Sequence, residues 1–138
     1  LGVERLRDVG IERLREVEAL PSLLSRRARH VITENARVLA ARTALLEGNL
    51  VEFGRLLSAS HASLRDDYEV SIGPVDLLVA LADAQPGVFG ARMTGGGFGG
   101  AIVIACAAGT ARDVAGRVSA DYARRSGRTA RVLVPRST

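Results

Sequence analysis

GARMTGGGFGGAIVIACA, residues 90–107, is the stretch that decides how this chain folds. Five glycines crowd the six positions from Gly95 to Gly100, and the apolar, β-branched run Ile102, Val103, Ile104 follows at once. Glycine gives up the most conformational entropy on folding, so such a cluster in an ordered segment signals positive φ angles or close approach to the main chain. Consecutive bare N–H groups can form an anion-binding concavity. The same composition also suits a plain hairpin tip, and both readings stay open on the letters alone. Gly95, Gly97 and Gly100 satisfy G-x-G-x-x-G. That dinucleotide motif needs a helix opening directly behind the glycines, so that its N-terminus meets the pyrophosphate. A strand follows here, which removes the dinucleotide reading. A Walker-type loop is removed as well, because the chain contains no Lys to follow the glycines.

Outward from the loop, Val88–Thr94 and Ala101–Ala107 read as strands. Thr110, with Asp113 three residues on, predicts a capped helix whose Val114, Val118 and Tyr122 face the sheet, and Val132–Val134 reads as a last strand. Upstream, Pro74 opens a short helix carrying Leu77, Leu78 and Leu81, which ends near the turn Gln85, Pro86, Gly87. Helix, strand, strand, helix, strand supplies every element of a ferredoxin-like split βαβ pattern except the first strand. That strand is expected upstream of Leu1; otherwise the sheet keeps an exposed edge.

The first half of the chain is helical in period. Val3, Leu6, Ile11, Leu14 and Val17 predict two short amphipathic helices interrupted at Gly10. After Pro21, with Ser22 or Ser25 as cap, the positions Leu24, Ala28, Val31, Ile32, Asn35, Val38, Leu39, Leu45 and Leu46 hold a helical stripe that Gly48 stops. Asn49 and Glu52 have capping-box spacing, and Leu50, Phe53, Leu57 and Leu64 continue on a second helix. So short a connection makes the two helices an antiparallel hairpin. The expected organisation is a helical part over residues 1–84 and a glycine-loop hairpin and sheet part over residues 88–135.

Composition bounds the function. At 138 residues, with a quarter of them charged, the chain is one globular domain in size. Its net charge is +4, carried by Arg spread among acids with few aromatics, which argues against a nucleic-acid platform. No apolar run approaches the roughly 20 residues of a membrane span. The single Cys106 excludes an internal disulfide and reads as an inert strand thiol, which fits a cytoplasmic setting. The only methionine is Met93, so the chain is expected to be a fragment or a processed piece.

Other candidates for chemistry have plainer explanations. His30 and His61 lack metal-ligand partners at helical spacing. Asp66 and Asp67 point apart on a helix and, beside Arg65, read as a helix-end salt bridge or cap, with Tyr68 packed beneath. Asn35 on the apolar stripe is expected to bond a neighbouring group, and Arg26, Arg27 and Arg29 to form a solvated turn. No residue set combines a nucleophile, a base and an orienting partner.

RRARHVITENARVLAA (26–41), SHASLRDDYEVS (60–71) and GARMTGGGFGGAIV (90–103) together resemble the C-terminal half of galactokinases, members of the GHMP class of small-molecule kinases. The last segment resembles the third conserved motif of the class; the other two are the more specific to galactokinases. The resemblance implies an α+β GHMP kinase C-terminal domain, and ATP- and Mg-dependent transfer of the γ-phosphoryl group to the C1 hydroxyl of galactose in a cleft between two domains. It implies that sugar-binding, phosphate-loop and catalytic residues lie in an N-terminal kinase domain outside this chain. No catalytic residue and no metal ligand is therefore expected here, and the fragment alone is expected to be inactive. What carries over is the cofactor-side glycine loop, Thr94, Gly95, Gly96, Gly97, Phe98, Gly99 and Gly100, with Arg92 and Met93 as supports. A Cβ at Gly96 or Gly97 is expected to intrude on a neighbouring loop or phosphate. Two other classes remain open at this point: a small-anion or metabolite binding module without catalysis, and a dimerising helical hairpin.

Overall fold

The computed structural model describes residues 1–135. It divides into two compact units, Leu1–Val70 and Ser71–Thr138.

In the first unit, 3-10 turns at Leu6–Asp8 and Ile11–Arg13 lead into helix α1 (Leu14–Glu18), followed by the long α2 (Ser22–Leu46) and α3 (Leu50–Asp66). Gly10 interrupts the N-terminal segment as its sequence predicts, but the pieces on either side are tighter and shorter than two full helices. Val9, Val17, Ala28 and Ile32 are buried together, with Leu1, Val3, Leu14 and Leu20 packed around them. The turn between α2 and α3 has a physical reason for each residue. Gly48 adopts a left-handed φ of +68°, and its N–H bonds the Leu45 carbonyl at 3.2 Å while the Asn49 N–H bonds Ala44 at 2.8 Å. This is the double closure of a Schellman motif. Asn49 then caps α3 by accepting the Glu52 N–H at 3.1 Å.

Two expectations on α2 fail. No side chain caps its start, where Pro21 occupies the N-cap position. Proline pre-sets the entry φ, and the helix opens without a hydroxyl bond. The apolar stripe is buried only in part: Leu24, Val38, Leu39, Leu45 and Leu46 are exposed, as is Asn35. Periodicity reports which residues share a face, and only the part of that face beside the N-terminal segment acquires this core.

The second unit contains α4 (Gly73–Asp83), β1 (Val88–Thr94), β2 (Ala101–Cys106) and α5 (Ala111–Ser126). Pro74 lies in the first turn of α4, where its missing N–H costs no helical bond. The strands pair antiparallel, Thr94 opposite Ala101 and Ala91 opposite Ile104, with an irregularity between Val88 and Gly90. Val79, Leu81 and Ala82 of α4, Ala91 of β1, and Val114, Val118 and Tyr122 of α5 form the core, with Ile102, Ile104 and Cys106 packed against it. The three residues read from sequence as the inner face of α5 are the three it buries.

Two details of this unit depart from expectation. Thr110 stands at the N-cap of α5, yet its hydroxyl bonds the Ala107 carbonyl at 2.7 Å and makes no cap. Val132–Val134 is not a strand: among the described residues the sheet has two strands, and Leu133 is 77% exposed. A strand needs a ladder partner, and among the described residues the sheet offers none to this segment.

Candidate functional site

The β1–β2 hairpin carries the glycine loop at its tip. Gly95, Gly97, Gly99 and Gly100 all have positive φ, at +94°, +89°, +137° and +101°, and Phe98 joins them at +58°. Such a run is open to glycine and costly for most other residues, which is the physical content of the motif. Thr94, Gly95, Gly96, Phe98 and Gly100 are exposed, and the Phe98 ring is turned largely to solvent. The loop thus presents main chain with little side chain to cover it.

The glycines are not equivalent. A Cβ on Gly100 would lie 3.4 Å from the Thr94 carbonyl, so the two ends of the loop approach each other there. Gly96 has no left-handed φ, and a Cβ on it meets nothing within 4 Å among the described residues. At Gly97 the positive φ alone disfavours a side chain. Of the supports, Met93 is buried at 1% exposure and anchors the strand behind the loop, while the Arg92 guanidinium bonds the neighbouring Met93 carbonyl at 2.9 Å.

The other segments singled out from sequence come together elsewhere, along the α2–α3 hairpin, and they pair with one another. Arg26 and Arg27 both bind the Glu69 carboxylate, Arg27 also donates to the Asp67 carbonyl, and Arg29 lies 3.5 Å from the Asp67 carboxylate. The solvated-turn reading of these three arginines is therefore corrected: they face acids that the antiparallel turn brings back beside them. Glu69 holds an unusual left-handed φ of +56° beneath this pair of arginines. Hydrogen bonds from Arg27 and then Arg26 hold its carboxyl below the ordinary carboxylate range. The complementary signs of RRAR and DDYE at antiparallel positions were the signal that could have revealed this seam.

Deeper in the same seam, His30 and Ser63 are buried, with Nδ1 3.0 Å from the Ser63 hydroxyl oxygen, and that hydroxyl donates to Asp67 Oδ2 at 3.0 Å. Ser63 has one proton and gives it to the carboxylate, so His30 must donate from Nδ1. Serine, histidine and aspartate are all present, but the acid bonds the serine and the imidazole is not between them. A nucleophile triad requires the base in the middle, and this trio is a structural relay. Tyr68 stacks on His30 at a centroid distance of 4.5 Å. One turn further, Glu34 accepts from Ser60 across the hairpin and from Arg37 at 2.8 Å within α2. Asp66 is held by Arg65 at 2.7 and 2.8 Å, which lowers its pKa, so Asp66 makes the helix-end salt bridge expected beside Arg65, whereas Asp67 bonds Ser63 and Arg29. His61 is buried in α3.

Among the described residues no group of three or more His, Cys, Asp or Glu could hold a metal ion. Among the described residues no helix is long and apolar enough to cross a membrane.

With this geometry in place, the similarities of the chain are informative. Residues 41–124 match the family described as GHMP kinases C terminal. A galactokinase of Chloroflexus aggregans is 48% identical over 133 residues, which are 96% of this chain and 34% of the relative. A galactokinase of Homo sapiens is 54% identical over 107 residues, 75% of this chain and 26% of the relative. Among solved structures, Lactococcus lactis galactokinase complexed with galactose superposes with a TM-score of 0.83 at 39% identity, over 94% of this chain and 34% of that one. The chain thus spans about a third of the length of these relatives or less. A glycine loop of bare, positive-φ backbone on an α+β unit, the match over most of the sequence and the shared fold lead to one conclusion: the chain belongs to the GHMP kinases, as a C-terminal domain of that family.

Proposed function

We propose that this chain is the C-terminal part of a galactokinase. The whole enzyme transfers the γ-phosphoryl group of ATP to the C1 hydroxyl of galactose. The bond from the γ-phosphorus to the β,γ-bridging oxygen breaks, a bond to the sugar oxygen forms, the hydroxyl proton is released, and ADP leaves. The observation that carries the reading is the likeness of nearly the whole chain to galactokinases, 48% identical over 96% of it in one relative. Catalysis of this kind is mostly positioning and electrostatic stabilisation. A loop without side chains suits that demand, because a phosphate or a phosphate-binding loop can come close to its main chain.

The residues present fit the two cofactors differently. Thr94, Gly95, Gly96, Gly97, Phe98, Gly99 and Gly100 form a backbone surface, half-buried only at Gly97 and Gly99, and under this reading it faces the phosphate side of ATP. The described residues offer no metal-ligand set, and under this reading the protein ligands of Mg belong to an N-terminal kinase domain. Under this reading the chain is one part of a two-domain cytoplasmic kinase and is inactive alone.

The test joins residues 1–138 to the polypeptide that precedes the matched region in the Chloroflexus aggregans relative and measures galactose-dependent ADP release. Turnover is expected from the joined protein and none from the chain alone. Turnover by the chain alone would overturn the assignment of catalysis to the other part. ATP binding by the chain alone, together with a folded but inactive joined protein, would favour an anion-binding module.

A further inference from the structure

The glycine loop is bare, yet it is not unsupported. Glycine populates negative φ about as readily as positive φ, so the left-handed path of Gly95, Gly97, Gly99 and Gly100 must be selected by contacts. One contact is internal, where Gly100 closes on the Thr94 carbonyl. The other comes from the start of α4. Among the described residues beyond its chain neighbours, the group that a Cβ on Gly99 would meet within 4 Å is the δ-methyl of Ile72, at 4.0 Å. Gly99 and Ile72 are both half-buried, and both belong to the second unit.

We propose that Ile72 is a positioning residue, a strut at the start of α4 whose δ-methyl holds residues 98–100 of the loop in place. Its kinetic consequence rests on the galactokinase reading, whereas its effect on the order of the loop does not. Three features specify the role. Ile72 occupies the N-cap of α4, where Ser, Thr, Asp or Asn would supply a hydrogen bond and Ile supplies none. A cap position that breaks its local rule points to another use of the side chain, and here that use is the contact with Gly99. The second feature is a fixed backbone. Ile72 is extended, at φ −128° and ψ 155°, and its carbonyl accepts the N–H groups of Val75 at 2.9 Å and Asp76 at 3.0 Å. The Ser71 hydroxyl donates to Asp76 Oδ1 at 2.5 Å, which ties the residue before Ile72 to the first turn of α4. Third, a β-branched side chain is restricted at χ1, so a fixed backbone delivers a fixed methyl. A methyl resting on a glycine bears on main chain directly, and main chain is what this loop presents.

The experiment compares the parent sequence with Ile72→Ala, with Ile72→Val, which removes the δ-methyl alone, and with Ile72→Leu, which keeps δ-carbons. Backbone amide NMR order parameters are measured first, on the 138-residue chain. In the parent, residues 98–100 are expected close to the rigid value of about 0.85; in Ile72→Ala they should fall below about 0.6 while β1, β2 and α5 keep theirs. Should Ile72→Ala not fold, Ile72→Val decides, with a smaller fall confined to the same residues. A parent loop already below about 0.6, a variant loop as ordered as the parent's, or a loss shared equally by β1 and α5 overturns the proposal. In the joined protein described above, Ile72→Ala should lower kcat about tenfold, with the galactose KM within about twofold of the parent's and kcat restored in Ile72→Leu. Unchanged kcat in a folded Ile72→Ala joined protein overturns the positioning role, as does a loss that Ile72→Leu fails to restore. Absence of turnover in the parent joined protein counts against the galactokinase reading alone, and the order parameters then decide for the strut or against it.

Discussion

The α2–α3 hairpin and the β1–β2 hairpin are both antiparallel pairs, and they are specified in opposite ways. The helical one is fixed by side chains that reach across it: arginines to Glu69 and Asp67, His30 to Ser63, Ser60 to Glu34. Only one positive-φ residue, Gly48, is needed at its turn. The tip of the β-hairpin relies on backbone freedom instead, with positive φ at Gly95, Gly97, Phe98, Gly99 and Gly100. Both hairpins carry segments on which the resemblance to galactokinases rests. In one the marked residues build a frame; in the other their lack of side chains leaves main chain accessible. Damage should therefore appear as lost stability in the first and as lost activity in the second.

The largest expected effect on stability is in the helical unit. Ile32 is 1% exposed among Val9, Val17 and Ala28. Ile32→Ala removes its buried methyl and methylene groups and leaves a cavity, at a cost of about 2–5 kcal/mol in urea unfolding. A loss below about 1 kcal/mol would show that this cluster does not anchor the unit. Gly97→Val is the contrasting case. Its φ of +89° disfavours a β-branched residue, but the exposed loop can relax, so its stability cost should stay below that of Ile32→Ala. In the joined protein turnover should fall by about a hundredfold, the cost of misplacing groups near the reacting phosphate. Gly96→Ala sharpens the comparison, since its Cβ meets nothing among the described residues and its φ is not left-handed. It should leave the free chain unchanged and lower activity only if another part of the enzyme packs there. Gly97→Val destabilising the chain as much as Ile32→Ala would break the distinction between frame and loop.

How much of this was legible follows from the same division. The α2–α3 turn could be read letter by letter because Gly48 and Asn49 act through local backbone geometry. The inner face of α5 was legible because period 3.6 survives without knowing the partner. The polar seam was not, because Arg26, Arg27 and Arg29 look like a solvated turn until the hairpin brings Asp67 and Glu69 back beside them. Val132–Val134 misled for the opposite reason: its composition is that of a strand, but a strand is a pairwise object and among the described residues this segment has no ladder partner. The glycine loop was legible as backbone, whereas the difference between Gly96 and Gly97 needed their φ angles.

A smaller effect is expected at Ser63, the centre of the relay. Ser63→Ala removes one oxygen and with it the bonds to both His30 and Asp67. Because these groups are buried or half-buried, the cost is set by desolvated partners losing a bond, about 1–3 kcal/mol. His30 supplies a direct spectroscopic check, since loss of the acceptor on Nδ1 frees its tautomer. An unchanged imidazole nitrogen spectrum in Ser63→Ala would break the assigned direction of the relay.

The smallest effect belongs to the exposed end of the same seam and is read in pH. Glu69 is held in its charged form by Arg27 and Arg26, so its folded pKa lies below its unfolded value of about 4.5. A carboxyl with a lowered folded pKa binds protons more readily when unfolded. Its stabilising contribution is therefore complete above about pH 4.5 and is lost as the pH falls through the lower folded value. Exposure of both partners keeps that contribution small and makes it sensitive to salt. Glu69→Gln should thus unfold slightly more easily at neutral pH, with the difference from the parent chain shrinking on acidification and in high salt. A difference that stays constant from pH 7 to about pH 3 would mean that the left-handed backbone at residue 69, and not its charge, fixes this end of the helical hairpin.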